Sequence, residues 1–445
     1  MNPERVMTAL LDALAEPALA AARPQRYGHV TQMIGMSIEV AGIPAAIGDG
    51  LLLLPGDERI QAEVVALRDE RVVCLALGET AGLRAGTRVL GMGGPLPVRV
   101  GPELLGRVLD GIGRPMDEGP AISGTDVSVT GAPPHPLRRG MVATQLPLGV
   151  RVLDGLIPCG KGQRLGIFAG SGVGKSSLMS MIARGTAADV SVVALIGERG
   201  REVAEFIARD LGPEGLARSV VVVATSDAPA VMRIRAAFTA TRIAEWFRDQ
   251  GNDVVLMMDS VTRFAMAQRE VGLAAGEPPA TRGYPPSVFG LLPRLLERAG
   301  LGERGSITGL YTVLVEGDDM NEPIADTARS ILDGHIQLSR ALAESNHYPA
   351  VDVLGSISRV APAVASPEQL RAGGVVRELL AAWRDVKDLI EIDAYVAGTN
   401  PVVDRAVAFK PAIDAFCRQL VTEVTTLAGA REGLAVLAPA EERPS

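Results

Sequence analysis

The chain has 445 residues, too many for one ordinary core, so two or three domains are expected. A hydrophobic share of 47% with 22% charged residues is a globular balance and excludes extensive disorder away from the ends. The net charge of −8 argues against a protein whose main task is gripping nucleic acid, which usually shows a basic domain.

In chain order, residues 4–22 place Val6, Leu10 and Leu14 on one helical face, with Met7 and Leu11 beside them, and Arg23-Pro24 ends the pattern. The stripe suits packing on the chain's own domain and docking to a partner equally well. The segment opens with mixed charge and has no unbroken apolar stretch, so it does not read as a secretory signal. His29–Val40, Gly50–Leu54, Ala62–Leu77 and Thr87–Met92 read as strands, with a hairpin turn at Asp69-Glu70-Arg71. Strands this close suggest a small closed barrel. Residues 93–150 form a Gly/Pro-rich crossing, with turns at Gly93-Gly94-Pro95, Gly111–Pro115 and Ala132–Pro136. From Gly162 to about Arg359, apolar strands alternate with amphipathic helices, an α/β pattern with a mostly parallel sheet. Beyond Arg359 the strands stop: Gln369–Ile390 and Val403–Ala428 read as helices, and the last dozen residues as a loose tail. The expected divisions are a terminal helix at 1–25, a barrel at 26–95, an α/β domain at 96–365 and a helical domain at 366–445. No run of about 18 uncharged apolar residues occurs, so no membrane span is expected. Cys74, Cys159 and Cys417 lie far apart without metal-ligand spacing and read as buried small apolar groups in a reducing compartment.

Three places carry chemistry. Arg164–Ala169 is an apolar strand, and Gly170-Ser171-Gly172-Val173-Gly174 is a loop flexible enough to wrap its amides around phosphates. The helix from Ser176 points its N-terminal dipole at the same anions, Lys175 reaches the β- and γ-phosphates, and the Ser176 hydroxyl, followed by Ser177, can ligate Mg2+. Ala169 stands where the common pattern has Gly, and small size is what that position needs. Asp259 ends the strand Asp253–Met258; in an alternating α/β order its carboxylate shares a sheet edge with the loop and can hold Mg2+. Glu198 follows the strand Ser191–Ile196 at the same edge and is the candidate that orients and polarises the attacking water. Its neighbours Arg199, Arg201 and Glu202 read by spacing alone as a solvated charge cluster. Arg359 ends the Ser356-Ile357-Ser358-Arg359 run; spacing leaves it open between a surface arginine and a finger reaching a neighbour's γ-phosphate.

At this point the residues resemble the hexameric rotary-type ATPases, and specifically the type III secretion ATPases of flagellar and virulence protein export. The resemblance runs from about residue 28 to 410. It is carried by Ala169–Ser176 (AGSGVGKS), Ile196–Val203 (IGERGREV), Met258–Arg269 (MDSVTRFAMAQR), Gly283–Gly300 (GYPPSVFGLLPRLLERAG), Gly305–Gly334 (GSITGLYTVLVEGDDMNEPIADTARSILDG) and Tyr348–Val360 (YPAVDVLGSISRV). The resemblance implies a RecA-like core between an N-terminal small β-barrel and a C-terminal helical domain, with ATP and Mg2+ as ligands. It implies that Glu198 is the catalytic glutamate, Arg199 the residue beside it, Glu202 an acid behind the metal-bound water and Asp259 the metal-side acid. Arg263 then lies on the γ-phosphate side, Tyr348 stacks on adenine and Arg359 is the arginine finger between subunits. A homohexamer is implied, with a stator-like regulator at the N-terminal helix, a coiled-coil stalk in the central channel, a membrane export gate and chaperone–substrate complexes as partners. The place is then the cytoplasmic face of the inner-membrane export apparatus.

Three other functions compete. The catalytic subunit of a rotary ATP synthase shares the Glu198, Asp259, Tyr348 and Arg359 types but lacks the Asp318–Asp333 pattern and reads differently over Gly283–Gly300. A ring-shaped RNA translocase needs an aromatic-bearing barrel, and residues 27–92 contain Tyr27 alone; no nucleic acid is expected. A non-hydrolytic ring subunit is expected to lack the water-polarising glutamate, which is present. Protein export by the flagellar branch is the favoured reading, with the virulence branch as alternative.

Overall fold

The computed structural model describes residues 26–438 apart from 138, 316 and 318. The helix expected over residues 4–22 lies outside the described residues, as do Asp318 and residues 439–445. The chain divides into two compact units, Met1–Leu96 and Pro97–Ser445.

The first unit is a closed six-stranded barrel. Its strands are β1 (Tyr27–Ile34), β2 (Ser37–Ala41), β3 (Gly50–Leu54), β4 (Ile60–Arg68), β5 (Arg71–Ala76) and β6 (Arg88–Gly91). They are ordered β1-β2-β5-β4-β3-β6 around the wall. Alternate residues such as Val30, Val40, Leu51, Leu53, Val64 and Val89 point inward and bury the apolar face that period-two alternation provides. The β4–β5 hairpin turns at Asp69 and Glu70, both at positive φ (42° and 57°), while Arg71 already pairs with Arg68. Two residues with φ > 0 match the twist of the flanking strands.

The second unit is built on a mostly parallel sheet. It contains β7 (Pro97–Val100), β8 (Val108–Asp110), β9 (Thr125–Ser128), helix α1 (Arg151–Leu156), β10 (Arg164–Ala169) and helix α2 (Lys175–Gly185). There follow β11 (Val190–Ile196), α3 (Gly200–Glu205), β12 (Ser219–Ala224), α4 (Ala230–Asp249), β13 (Asp253–Asp259), α5 (Val261–Ala274) and α6 (Pro286–Leu296). The sheet is completed by β14 (Gly300–Leu301), β15 (Ser306–Leu314), β16 (Gly334–Leu338) and β17 (Val351–Ser358), with α7 (Pro323–Ile331) between β15 and β16. Its order is β17-β16-β10-β15-β13-β11-β12-β8, with β14 beside β15. The strands from β16 to β8 in this order run parallel, and β17 runs against them at the edge. The central strands β10, β11 and β12 are buried along their whole length, as strands covered on both faces must be.

The crossing at 93–150 is more structured than its turn chemistry suggests. β7 and β9 pair as a small separate ribbon, and β8 extends the main sheet beside β12. Strands of three or four residues carry too little pattern to register in sequence.

Past β17 come α8 (Pro367–Glu391), α9 (Pro401–Cys417) and α10 (Leu427–Leu437). The single helix expected over Val403–Ala428 is thus two. Residues 418–426 leave the helical path because Gln419 spends its backbone and side chain on tertiary hydrogen bonds, and Thr426 caps a new helix by accepting from Gly429 N. The expected loose tail also contains the end of α10, where Leu434 and Leu437 are buried. All three cysteines are free and buried.

Candidate active site

β10 delivers the chain to the phosphate-type loop. Val173 is 1% exposed and anchors the loop in the core, which leaves Ser171 and Gly172 facing solvent. Gly174 takes φ 99°, and a Cβ there would stand 3.2 Å from the Tyr348 ring, so both the backbone turn and the aromatic need glycine. α2 then begins at Lys175 with no side chain capping its first turn. The amides of Lys175, Ser176 and Ser177 are left for an external anion.

The carboxyl ends of β10, β11 and β13 meet around one ammonium. Lys175 Nζ lies 3.2 Å from Glu198 Oε1 and also bonds Asp259 Oδ1. Both acids are largely buried, with side-chain exposures of 16% for Glu198 and 7% for Asp259. Burial opposes the charged lysine, but the two carboxylates outweigh it and hold its pKa above the ordinary range. Burial likewise pushes the Glu198 carboxyl upward, and Asp259 adds to this, against the attraction of Lys175. Glu198 also shares a hydrogen bond with Glu202, which raises Glu198 and, together with Arg199, lowers Glu202. The pair Glu198 and Glu202 is thus pushed apart, Glu198 upward and Glu202 downward.

The remaining expected residues fall into two groups. Ser176, Glu198, Glu202 and Asp259 line one cavity of about 150 Å3, which Met179, Phe206, Glu205 and Asp210 also line. Arg263, on the first turn of α5, lays its stem against Gly197, and its buried Nε has no hydrogen-bond partner among the described residues. An orphaned guanidinium nitrogen next to the loop that carries Glu198 fits an anionic ligand. Tyr348 stands over Gly174, with its carbonyl accepting from Gln419 N at 3.0 Å. The Asp259–Ser260 and Tyr348–Pro349 peptide bonds are cis. Arg199 is 75% exposed and reaches back to Glu202 at 2.6 Å.

Arg359 is not brought to this cluster. β16 pairs His335 with Gly166 and Gln337 with Phe168, while β17 pairs Val351 with Leu338 and Ser358 with Gly334. The start of β17 is therefore level with the phosphate loop, and its end is level with the beginning of β10. The two ends of β17 pair with β16 residues only four apart, with a bulge between, so at about 3.3 Å per residue they lie roughly 13 Å apart along the sheet. Arg359 is exposed on the sheet edge opposite its own loop.

One contributing residue is missed by the sequence reading. Thr312 is fully buried on β15, and its Oγ1 donates to Asp259 Oδ1 at 2.7 Å, which fixes the carboxylate. A hydroxyl inside an otherwise apolar buried strand is the available signal, since it must find a partner. Which strand supplies the partner depends on sheet order, which spacing does not give.

A phosphate loop and two acids at the carboxyl edge of a parallel sheet, with a barrel before and helices after, define a P-loop ATPase. Family models agree: the beta-barrel domain of the ATP synthase alpha/beta family matches residues 30–93, its nucleotide-binding domain residues 149–358, and the T3SS EscN ATPase C-terminal domain residues 365–435. The chain is 52% identical to the flagellum-specific ATP synthase of Bacillus subtilis, covering 94% of this chain and 96% of the relative. It is 51% identical to the type 3 secretion system ATPase of Xanthomonas euvesicatoria, covering 93% and 94%. The assembled ATPase EscN of the enteropathogenic E. coli type III secretion system superposes with a TM-score of 0.88 at 47% identity, covering 92% of this chain and 99% of that one. The same ATPase in complex with its central stalk EscO gives 0.86. The chain belongs to the type III secretion ATPase family, which includes the flagellum-specific ATPases. No helix among the described residues is long and apolar enough to cross a membrane.

Proposed function

We propose that this chain is the ATP-hydrolysing motor of a flagellar type III protein export apparatus, working as a homohexamer at the cytoplasmic face of the inner membrane. It couples hydrolysis to release, unfolding and export of chaperone-bound substrates. The observation that carries the reading is the Lys175 ammonium shared by Glu198 and Asp259 at the carboxyl edge of the sheet. An ammonium so placed is ready to exchange its acids for phosphate oxygens.

Each residue has a role in that reading. The amides of residues 170–177 receive the phosphates, and Tyr348, beside Gly174, stacks on adenine. The Ser176 hydroxyl and Asp259 hold Mg2+, with Glu202 behind, and the ion neutralises phosphate charge when bound. Glu198 orients water for in-line attack on the γ-phosphorus. A phosphorus–oxygen bond forms, the bond to the β-bridging oxygen breaks, and the water proton passes toward Glu198. Arg263 steadies the γ-phosphate from its own subunit, with Arg199 beside the catalytic pair. Arg359, at the opposite sheet edge, serves the nucleotide of the next subunit, as a homohexamer requires.

The relative solved with its stalk EscO supports a coiled-coil stalk here. A stator-like regulator at residues 4–22, an export gate and chaperone complexes complete the partners. Flagellar and virulence relatives match almost equally, at 52% and 51% identity. Neighbouring genes for rod and hook, or for a needle complex, separate the branches. Glu198→Gln is expected to bind ATP with unchanged affinity and to lose at least about a hundredfold in turnover. Turnover close to that of the unaltered protein removes Glu198 from the role.

A further inference from the structure

Arg359 has an exposed side chain with no hydrogen bond or ion pair among the described residues, yet the backbone beneath it is tied at every point. Its N–H donates to Asp333 O at 3.0 Å. Gln163, fully buried, donates from Nε2 to the same carbonyl and to Ser358 Oγ, both at 3.1 Å. Ser358 Oγ in turn donates to Pro158 O at 2.7 Å. Asp333 is itself clamped: its carboxylate receives Arg164 N at 3.1 Å and, in a fork, Arg164 Nε and Nη2 at 3.0 Å each. The third Arg164 nitrogen pairs with Glu297 at 2.5 Å. Gly334 follows at φ 156°, where a Cβ would stand 2.4 Å from Ile357 O, so β16 and β17 close up just before the arginine.

Bidentate arginine–carboxylate pairs fix geometry as well as adding energy, and the order they impose is inherited by groups bonded to the same residue. An immobilised backbone fixes where the exposed side chain starts, so less of it remains to be ordered when its guanidinium meets a developing charge. From this geometry we propose that Asp333, clamped by Arg164 and assisted by Gln163 and Ser358, is the positioning residue for Arg359. It acts on turnover through the direction in which that guanidinium is presented, not through the nucleotide pocket of its own subunit. The proposal rests on the reading of Arg359 as a trans-acting group.

The test uses full-length assembled rings. Asp333→Asn keeps the shape of the side chain and removes the charge that holds the Arg164 fork, while Glu297 still pairs with Arg164. Turnover is expected to fall about tenfold, with the KM for ATP within about twofold of the unaltered protein. In an Arg359→Ala background the same change is expected to have no further effect. Rings mixed from Asp333→Asn and Lys175→Ala subunits are expected to recover activity above the sum of the separate rings, as Arg359→Ala with Lys175→Ala does. A raised KM, an additive loss with Arg359→Ala, or absence of recovery where the Arg359→Ala mixture recovers overturns the positioning role. Failure of the Arg359→Ala mixture itself removes the trans reading; non-additivity within pure rings then still decides whether Asp333 works through Arg359. If Asp333→Asn rings do not assemble by light scattering, Ser358→Ala, which deletes two bonds beside the arginine, is put through the same cycle with the same outcomes.

Discussion

Asp154 has no exposed surface, yet its carboxylate accepts two backbone N–H groups, from Leu148 at 2.8 Å and Gly149 at 2.9 Å. Burial pushes the acid up to about 7, with the two N–H groups and the Arg431 charge resisting. In the unfolded chain the same acid titrates near 3.8, so between these values the folded state keeps the proton and the unfolded state does not. The stability contributed by this group is fully present at the acid end of the window and is lost as pH rises toward 7. Asp154→Asn is uncharged throughout and keeps one acceptor. The unfolding free energy of the unaltered protein, relative to the variant, is expected to fall with rising pH by up to about 1.4 kcal/mol per unit inside the window. Denaturation at several pH values measures it, and a difference flat with pH excludes the effect. At the same scale, Lys175, Glu198 and Asp259 were legible in sequence because strand ends and glycines announce them. Thr312 was not, since a hydroxyl's partner on a neighbouring strand depends on three-dimensional order.

Among elements, the stretch from 418 to 426 shows how local pattern yields to tertiary bonding. Val421, Val424 and Leu420 look like a continuation of α9, but Gln419 turns the chain inward. Its Nε2 donates to Gly149 O at 2.9 Å and Glu423 O at 2.8 Å, its Oε1 accepts from Arg151 N at 2.7 Å, and its N–H reaches Tyr348 O. One residue therefore joins α1, the helical domain and the backbone of Tyr348. Gln419→Leu takes the side-chain partner from the Arg151 N–H and the Glu423 carbonyl, while Gly149 O keeps Thr425 N, and is expected to destabilise the fold by about 1–3 kcal/mol, read from the denaturation midpoint. A loss below about half a kcal/mol would show that water or the neighbours replace these bonds. The long core strands β10, β11 and β13 were read almost to the residue because continuous apolar runs end on functional groups. β7, β8 and β9 were not, because each is too short to show a period and pairs only once the sheet exists.

At the scale of the molecule, Tyr348 and Arg359 sit in one continuous run of sequence, yet β17 carries them to opposite edges of the sheet. Sequence proximity concealed this, and strand register reveals it. The buried cysteines have a use of their own at this scale. Cys74 lies in the barrel, Cys159 just before β10, and Cys417 at the end of α9, so each structural region encloses one thiol. Burial raises all three, Cys74 and Cys417 to about 12, and thiolate is therefore scarce in the native state. Alkylating reagent added to the folded protein is expected to react slowly, and mass spectrometry at rising denaturant should date the opening of each region by its own cysteine. Rapid modification of any of the three under native conditions contradicts this. The chain thus carries a built-in stopwatch for each of its parts, needing no introduced label.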